Sequence, residues 1–154
     1  MRLSTKGCYA LRAMVDLALH GGEPVTRQEI AARQGISADY AAQLFRHLRQ
    51  AQLVKAIKGP GGGYILAREP VAISAGDVLR AVEGPLAVSQ CVLPGHDSDC
   101  PRAVSCAVRP LWERLSAALT EIANSVTLWD FCKQPETETV GDFPNRKEQE
   151  GGSH

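Results

Sequence analysis

Apolar residues first recur at helical spacing over 6–20, where Leu11, Met14, Val15 and Ala18 follow the i, i+3, i+4, i+7 rule. Arg12 and Asp16 interrupt them and make the segment amphipathic, and Gly21-Gly22 stops it. Thr26-Arg-Gln-Glu29 reads as a capping box, in which hydroxyl and carboxylate satisfy the free amides of a new helix. That helix is short and ends at Gly35, a residue suited to a left-handed turn. Ser37 then caps a third helix running to about Ala51, with Tyr40, Leu44, Phe45 and Leu48 on its inner face. Two short helices joined by Gly-Ile-Ser predict a helix-turn-helix. The outer face of the second carries Gln43, Arg46, His47, Arg49 and Gln50, side chains that suit base edges and phosphates.

From Leu53 to Lys58 the period changes to that of a strand; Gly59-Pro-Gly-Gly-Gly63 turns the chain and Tyr64–Ala67 returns it. A hairpin directly after a helix-turn-helix makes a winged helix. The wing places Lys55, Lys58 and Arg68 where a phosphate backbone or a minor groove could receive them. The glycines do not read as a nucleotide loop, because no Lys-Ser/Thr follows and no helix begins there. Ser74-Ala-Gly-Asp77 caps another helix, to about Val82, stopped by Gly84-Pro85.

A long helix is expected from about Ala107 to Ser125, with Pro110 tolerated in its first turn. Leu111, Leu115, Ala118, Leu119, Ile122 and Val126 form its apolar stripe. At ~1.5 Å per residue it would run about 28 Å, long for so small a domain and suited to an antiparallel partner helix in a homodimer. Thr127 caps a final turn through Trp129 and Phe131, and from Lys133 the sequence is polar, unpatterned and expected to be disordered. The expected fold is therefore mainly α with a small β-hairpin: a winged helix-turn-helix head (1–83), a cysteine-bearing loop (84–106), a dimerisation helix with its final turn (107–132) and a tail (133–154).

Composition sharpens this picture at two points. The net charge is zero, but residues 1–68 hold ten Lys/Arg against four Asp/Glu, and residues 69–154 seven against thirteen. A basic half on an acidic half suggests that one half meets a polyanion, against the plainer reading of chance sorting of solvated charges. No apolar run approaches the ~18 residues of a membrane span, and the amphipathic N-terminus is unlike a signal peptide. The expected location is the cytoplasm, where thiols stay reduced and metal or redox chemistry is favoured over disulfides.

Three of the five cysteines, Cys91, Cys100 and Cys106, stand at C-x8-C-x5-C spacing in a loop rich in Pro, Gly and Asp. Thiolates offered by one loop suit a soft metal or an iron–sulfur cluster.

Together MRLSTKGCYALRAM, IAARQGIS, YAAQLFRHLRQAQLV, KGPGGGY, the three cysteines and RPLWERL give a chain that resembles the IscR, NsrR and RirA group of bacterial winged-helix regulators, the Rrf2 superfamily. The likeness extends from Met1 to about Cys132. It implies a homodimer that binds double-stranded operator DNA and carries an iron–sulfur cluster, 2Fe–2S or 4Fe–4S, as its signal input. Expected DNA contacts are Gln43, Arg46, Arg49 and Lys58, with Ser37, Tyr40 and Gly61 beside them. Two departures separate this chain from the IscR-like pattern at the DNA face: Ala42 stands where an acidic residue precedes the glutamine, and Lys58 where an arginine precedes the glycine wing. Arginine offers a planar fork and lysine a point charge, so target sequence does not carry over.

By the same resemblance, Cys91, Cys100 and Cys106 align with three cluster ligands. Where IscR-type chains supply a histidine three residues on, this one has Arg109, which has no lone pair to give. NsrR-like chains bring an aspartate from the partner subunit's N-terminal helix, and Cys8 occupies that position here. Cys8 across the dimer is therefore the candidate fourth ligand, set against a plain helix-residue reading. His96 is next, Asp97 and Asp99 are weaker, and Cys132 is read as a bystander. Repression under control of iron, cluster supply, redox state or nitric oxide is the expected function. The rivals are a zinc-dependent regulator, a regulator sensing oxidants through bare thiols and, from another class, an iron–sulfur redox protein. That last reading leaves the basic head unexplained and finds no dinucleotide fingerprint or second cluster motif; the chain is not read as an enzyme.

Overall fold

The structure is a computed structural model that describes residues 3–96 and 100–133. The tail expected from Lys133 lies outside the described residues beyond that first residue, and so do Asp97 and Asp99.

Six helices and one hairpin are described: α1 (Thr5–Leu19), α2 (Arg27–Gln34), α3 (Ala38–Gln50), β1 (Val54–Ile57), β2 (Gly63–Leu66), α4 (Ala75–Glu83), α5 (Arg109–Ser125) and α6 (Leu128–Cys132). The architecture is mainly helical, as expected, with two short 3-10 turns at Pro70–Ala72 and Gln90–Val92 that periodicity did not foretell. Capping explains most boundaries. Thr26, Ser74 and Thr127 each form a full capping box, with Glu29, Asp77 and Asp130. Ser37 accepts the Tyr40 N–H at 3.1 Å, and Gly35 closes α2 in the left-handed region. The long helix starts at Arg109, two residues later than expected. No side chain caps it, and Pro110 sits in its first turn, where its missing N–H is harmless.

β1 and β2 pair antiparallel with Val54 opposite Leu66 and Ala56 opposite Tyr64. Val25 adds a bridge to Tyr64, so the hairpin is moored to the segment entering α2.

One core holds the head together. Met14, Val25, Ile30, Leu44, Phe45, Leu48, Leu53, Ile73, Val78 and Leu128 are all essentially buried, each worth roughly 1.5–3 kcal/mol of apolar burial. Leu128 shows that the chain returns after α5 to plug into the head; its N–H bonds the Ile73 carbonyl at 2.9 Å. α1 corrects the periodicity reading. Of the expected stripe only Met14 is fully buried, while Leu11, Val15 and Ala18 are half-buried. The buried face is Gly7, Ala10, Ala13, Met14, Asp16 and Leu17, because small residues let α4 and the other helices approach closely.

Asp16 also departs from expectation. It makes the segment amphipathic in sequence, yet it is only 7% exposed. Arg33 of α2 binds it through two bonds of 2.9 and 3.0 Å, and His20 approaches it at 3.2 Å. The hydrogen bond to Asp16 raises the Arg33 pKa. This planar, two-bond contact fixes α2 on α1 and so sets the platform that carries α3.

Candidate functional site

The basic face is built on α3 and the hairpin. Gln43, Arg46 and Arg49 project from α3 into solvent, Ser37 is exposed at its cap, and Lys58 and Gly61 are exposed at the hairpin turn. Gly61 adopts φ +73°, and a Cβ on Gly62 would strike the Ile57 carbonyl, so the turn needs glycine to stay tight. His47 and Tyr40 are half-buried. Tyr40 packs edge-on to Tyr9 at 6.1 Å, with Arg12 over the Tyr9 ring.

Phe45 and Tyr64 stack at 4.2 Å and lock the hairpin to α3. Between the two elements lies a notch lined by Ala42, Arg46, Arg49, Gln50 and Tyr64. The fold thus brings Arg46 and Arg49 together with a wing residue, while Ser37 and Tyr40 lie at the other end of α3. Tyr64 was not among the expected contacts; in the sequence it is only the first apolar residue after a glycine run.

The second region is the cysteine loop. Cys91 lies in the 3-10 turn at Gln90–Val92, its Sγ 3.3 Å from the Ser89 hydroxyl. Cys100 opens a turn closed by the Ala103 N–H on its carbonyl at 3.0 Å, and Cys106 comes three residues before α5. All three are free, half-buried thiols. Near the loop's start the Val88 N–H donates to the buried Ser116 hydroxyl of α5 at 3.0 Å, and the helices that flank the loop are joined directly, Arg80 of α4 donating to Asn124 of α5 at 2.8 Å. Neither anchor carries a recognisable signal in the sequence.

Cys8 is a free thiol on the exposed side of α1, in a groove with Leu3, Leu11, Arg12, Val15 and Phe131. Cys132 is half-buried at the end of α6, and burial pushes its thiol pKa up. Arg109, at the position where the resemblance implies a histidine ligand, bonds Glu113 at 2.9 Å. His96 is half-buried in the loop. Donor chemistry fits an iron–sulfur group or zinc: three free thiols in one loop, with a fourth on another surface. Their arrangement does not complete a site within one chain, since among the described residues no three His, Cys, Asp or Glu side chains stand close enough to share a metal ion.

α5 presents Leu111, Leu115 and Ile122 at 50%, 40% and 65% exposure, while its buried residues are Ser116 and Ala123. Of the expected stripe, Leu111, Leu115, Ala118 and Ile122 are thus uncovered in the single chain, while Leu119 is half-buried and Val126 is buried. Among the described residues no helix is long and apolar enough to cross a membrane.

Comparison with known proteins agrees with this architecture. Residues 3–134 match the family model Rrf2, described as an iron-dependent transcriptional regulator. The chain is 42% identical over 143 residues to the HTH-type transcriptional regulator IscR of Vibrio cholerae, covering 92% of this chain and 81% of that protein. Among solved structures it is similar to T. potens IscR, with TM-score 0.72 and 38% identity over 92% of this chain and 94% of that one. It is also similar to CymR, the global cysteine regulator of B. subtilis, with TM-score 0.68 and 41% identity over 85% and 95%.

Proposed function

The chain belongs to the Rrf2 family of transcriptional regulators, and from that premise we propose that it is a homodimeric operator-binding repressor whose DNA affinity is set by an iron–sulfur cluster. The observation that carries this reading is the placement of Cys91, Cys100 and Cys106 in a loop that runs from α4 to α5 and is pinned to α5 by the Val88–Ser116 bond, the two helices themselves being joined by Arg80 and Asn124. These three thiols are the proposed ligands, with Cys8 of the partner subunit as the fourth and His96 as the substitute. The cluster, when bound, supplies a centre whose charge and integrity change with iron, oxidants or nitric oxide.

The rest follows from the chain's own residues. α3 enters the major groove with Gln43, Arg46 and Arg49, and the wing follows with Lys58 and Gly61, Ser37 and Tyr40 lying at the start of the helix. The uncovered stripe of α5 pairs with its copy, and this sets the separation of the two α3 helices. A two-fold dimer reads two half-sites only when that separation matches the ~34 Å helical repeat. A loop spanning head and dimer helix can bias the separation, and a coupling of ~1–3 kcal/mol suffices to switch occupancy. The chain acts by binding, in the cytoplasm, without catalysis. The proposed division is head (1–83), sensor loop (84–106), and dimer helix with final turn (107–132).

A second reading, bare thiols that sense oxidants in place of the cluster, is favoured by the scattered donors of the single chain; zinc on the same cysteines is the other alternative. Anaerobic purification separates them. Iron and sulfide in equal amounts, with operator affinity that changes when the cluster is removed, is the expected result. Zinc without sulfide, or neither, would replace the cluster reading while leaving the DNA head intact.

A further inference from the structure

A second hollow lies next to the notch of α3, at the base of the hairpin. Its walls are Arg49, Gln52, Lys55 and Arg68, floored by Ala51, Val54 and Ala67. Arg49 belongs to both hollows, so the two run into one another. Four cations, Arg46, Arg49, Lys55 and Arg68, line the joined surface and no carboxylate does. All four are exposed, and among the described residues none makes an ion pair. Three other arginines in the head have partners, Arg33 on Asp16, Arg80 on Asp77 and Arg12 over the Tyr9 ring, while Arg27 at the start of α2 stands apart from both hollows. A merely solvated face mixes signs. This one is concave and of one sign.

Local geometry gathers these residues on tight turns. Gln52 takes φ +59°, and its N–H bonds the Arg49 carbonyl at 2.9 Å, which folds β1 back against the end of α3. The Ala67 N–H bonds the Leu53 carbonyl at 2.9 Å and brings Arg68 to the same corner. The C-terminal end of a helix carries partial negative charge and repels anions. Three cations at that end reverse the local field, and the ligand they suit is a row of anions spaced along a strand.

Resting on the DNA-binding reading, we propose that Arg49, Lys55 and Arg68, with Gln52, form a phosphate track that holds the duplex backbone outside the bases read by α3. The footprint then extends beyond the half-site, and the extension adds affinity and salt dependence without adding sequence preference.

The test uses the full chain and a duplex selected by the wild-type protein from a random pool. Binding is measured against salt on that site with about one helical turn (~10 base pairs) of flank on each side, and on the same site trimmed to its edges. The double variant Lys55→Gln, Arg68→Gln should show a slope of log affinity against log salt shallower by ~0.9 for each phosphate it no longer neutralises on the flanked duplex. Its preference for the selected site over a scrambled one should not change, and on the trimmed duplex it should match wild type. Lys55→Arg with Arg68→Lys should restore the slope. An unchanged slope on flanked DNA, or an equal loss on trimmed DNA, overturns the track; melting curves confirm that the variants fold. Failure of the underlying reading looks different: wild type would select no duplex, or Arg46→Ala would bind the flanked site as wild type does, and the track would fall with it.

Discussion

Arg80 of α4 donates a hydrogen bond from Nη1 to the Asn124 Oδ1 of α5 at 2.8 Å, and so closes the 44-residue span that contains Cys91, Cys100 and Cys106. The contact is possible because Gly76, one turn earlier on α4, has no side chain. A Cβ there would fall on the Asn124 amide oxygen and lie 3.0 Å from Arg80 Nη1. Alanine normally strengthens a helix over glycine by about 0.8–1 kcal/mol. Gly76→Ala is expected to forfeit that gain here, because the exposed Asn124 side chain must turn aside and its bond to Arg80 is lost, leaving stability within about 1 kcal/mol of the parent. Urea titration of the purified chain measures it, and a variant more stable by the full helix-propensity difference would mean that the Arg80–Asn124 bond contributes nothing.

The same cap gives a pH dependence. Asp77 accepts the Ser74 N–H at 3.0 Å and a bond from Arg80 Nη2 at 3.0 Å. Burial pushes the Asp77 pKa up, but the bonds from Ser74 and Arg80 outweigh it and hold the carboxyl below its ordinary 3.8. The unfolded chain takes the ordinary value, so this depressed group contributes stability that is complete above it and lost as pH falls through the folded value. Asp77→Asn should therefore be less stable than wild type near neutrality, by a gap that stays flat down to about pH 5 and closes below about pH 4. A gap that widens in acid would contradict the assignment.

The α5 stripe predicts assembly. Leu111, Leu115 and Ile122 take no part in the core of the single chain, so replacing them tests the partner surface with little effect on the fold. Leu115→Glu with Ile122→Glu should convert a sedimenting dimer into a monomer with unchanged helical content. Without simultaneous contact with two half-sites, operator binding should then weaken at least tenfold, about 1.4 kcal/mol. A double variant that still sediments as a dimer would place the interface elsewhere.

Local chemistry made much of this fold legible in advance. Thr26 with Glu29, Ser74 with Asp77, and the Gly59–Gly63 turn act within a few residues, so capping and turn rules located them. The buried face of α1 was not legible, because Ala10 and Ala13 are buried by close helix approach while Leu11 and Val15 are left half-covered. Weighting large apolar residues picks the wrong stripe on such a helix. The burial of Asp16 was not legible either, because its partner Arg33 is 17 positions away. The Ser116 anchor of the cysteine loop acts across 28 positions. Cysteine spacing spoke to the kind of chemistry, but convergence of the ligands is a tertiary property, and the single chain does not complete it among its described residues.

The ligand set makes the last prediction. Cys91→Ala, Cys100→Ala and Cys106→Ala should each remove most of the iron and sulfide from anaerobically purified protein, because a thiolate missing from the loop leaves too few donors. Cys132→Ala should leave them unchanged, since Cys132 stands at the end of α6, outside the cysteine loop. Cys8 requires a mixed dimer. If it ligates across the interface, a dimer of one Cys8→Ala and one Cys100→Ala subunit keeps one intact site, formed by the unaltered loop of the first and the unaltered Cys8 of the second. If Cys8 ligates within its own chain, both sites of that dimer are broken and it holds no cluster. About half the wild-type iron and sulfide in the purified mixed dimer is the expected result. None would exclude ligation across the dimer, and a Cys8→Ala homodimer with full cluster content and oxygen stability would remove Cys8 from the ligand set and leave His96 as the fourth donor.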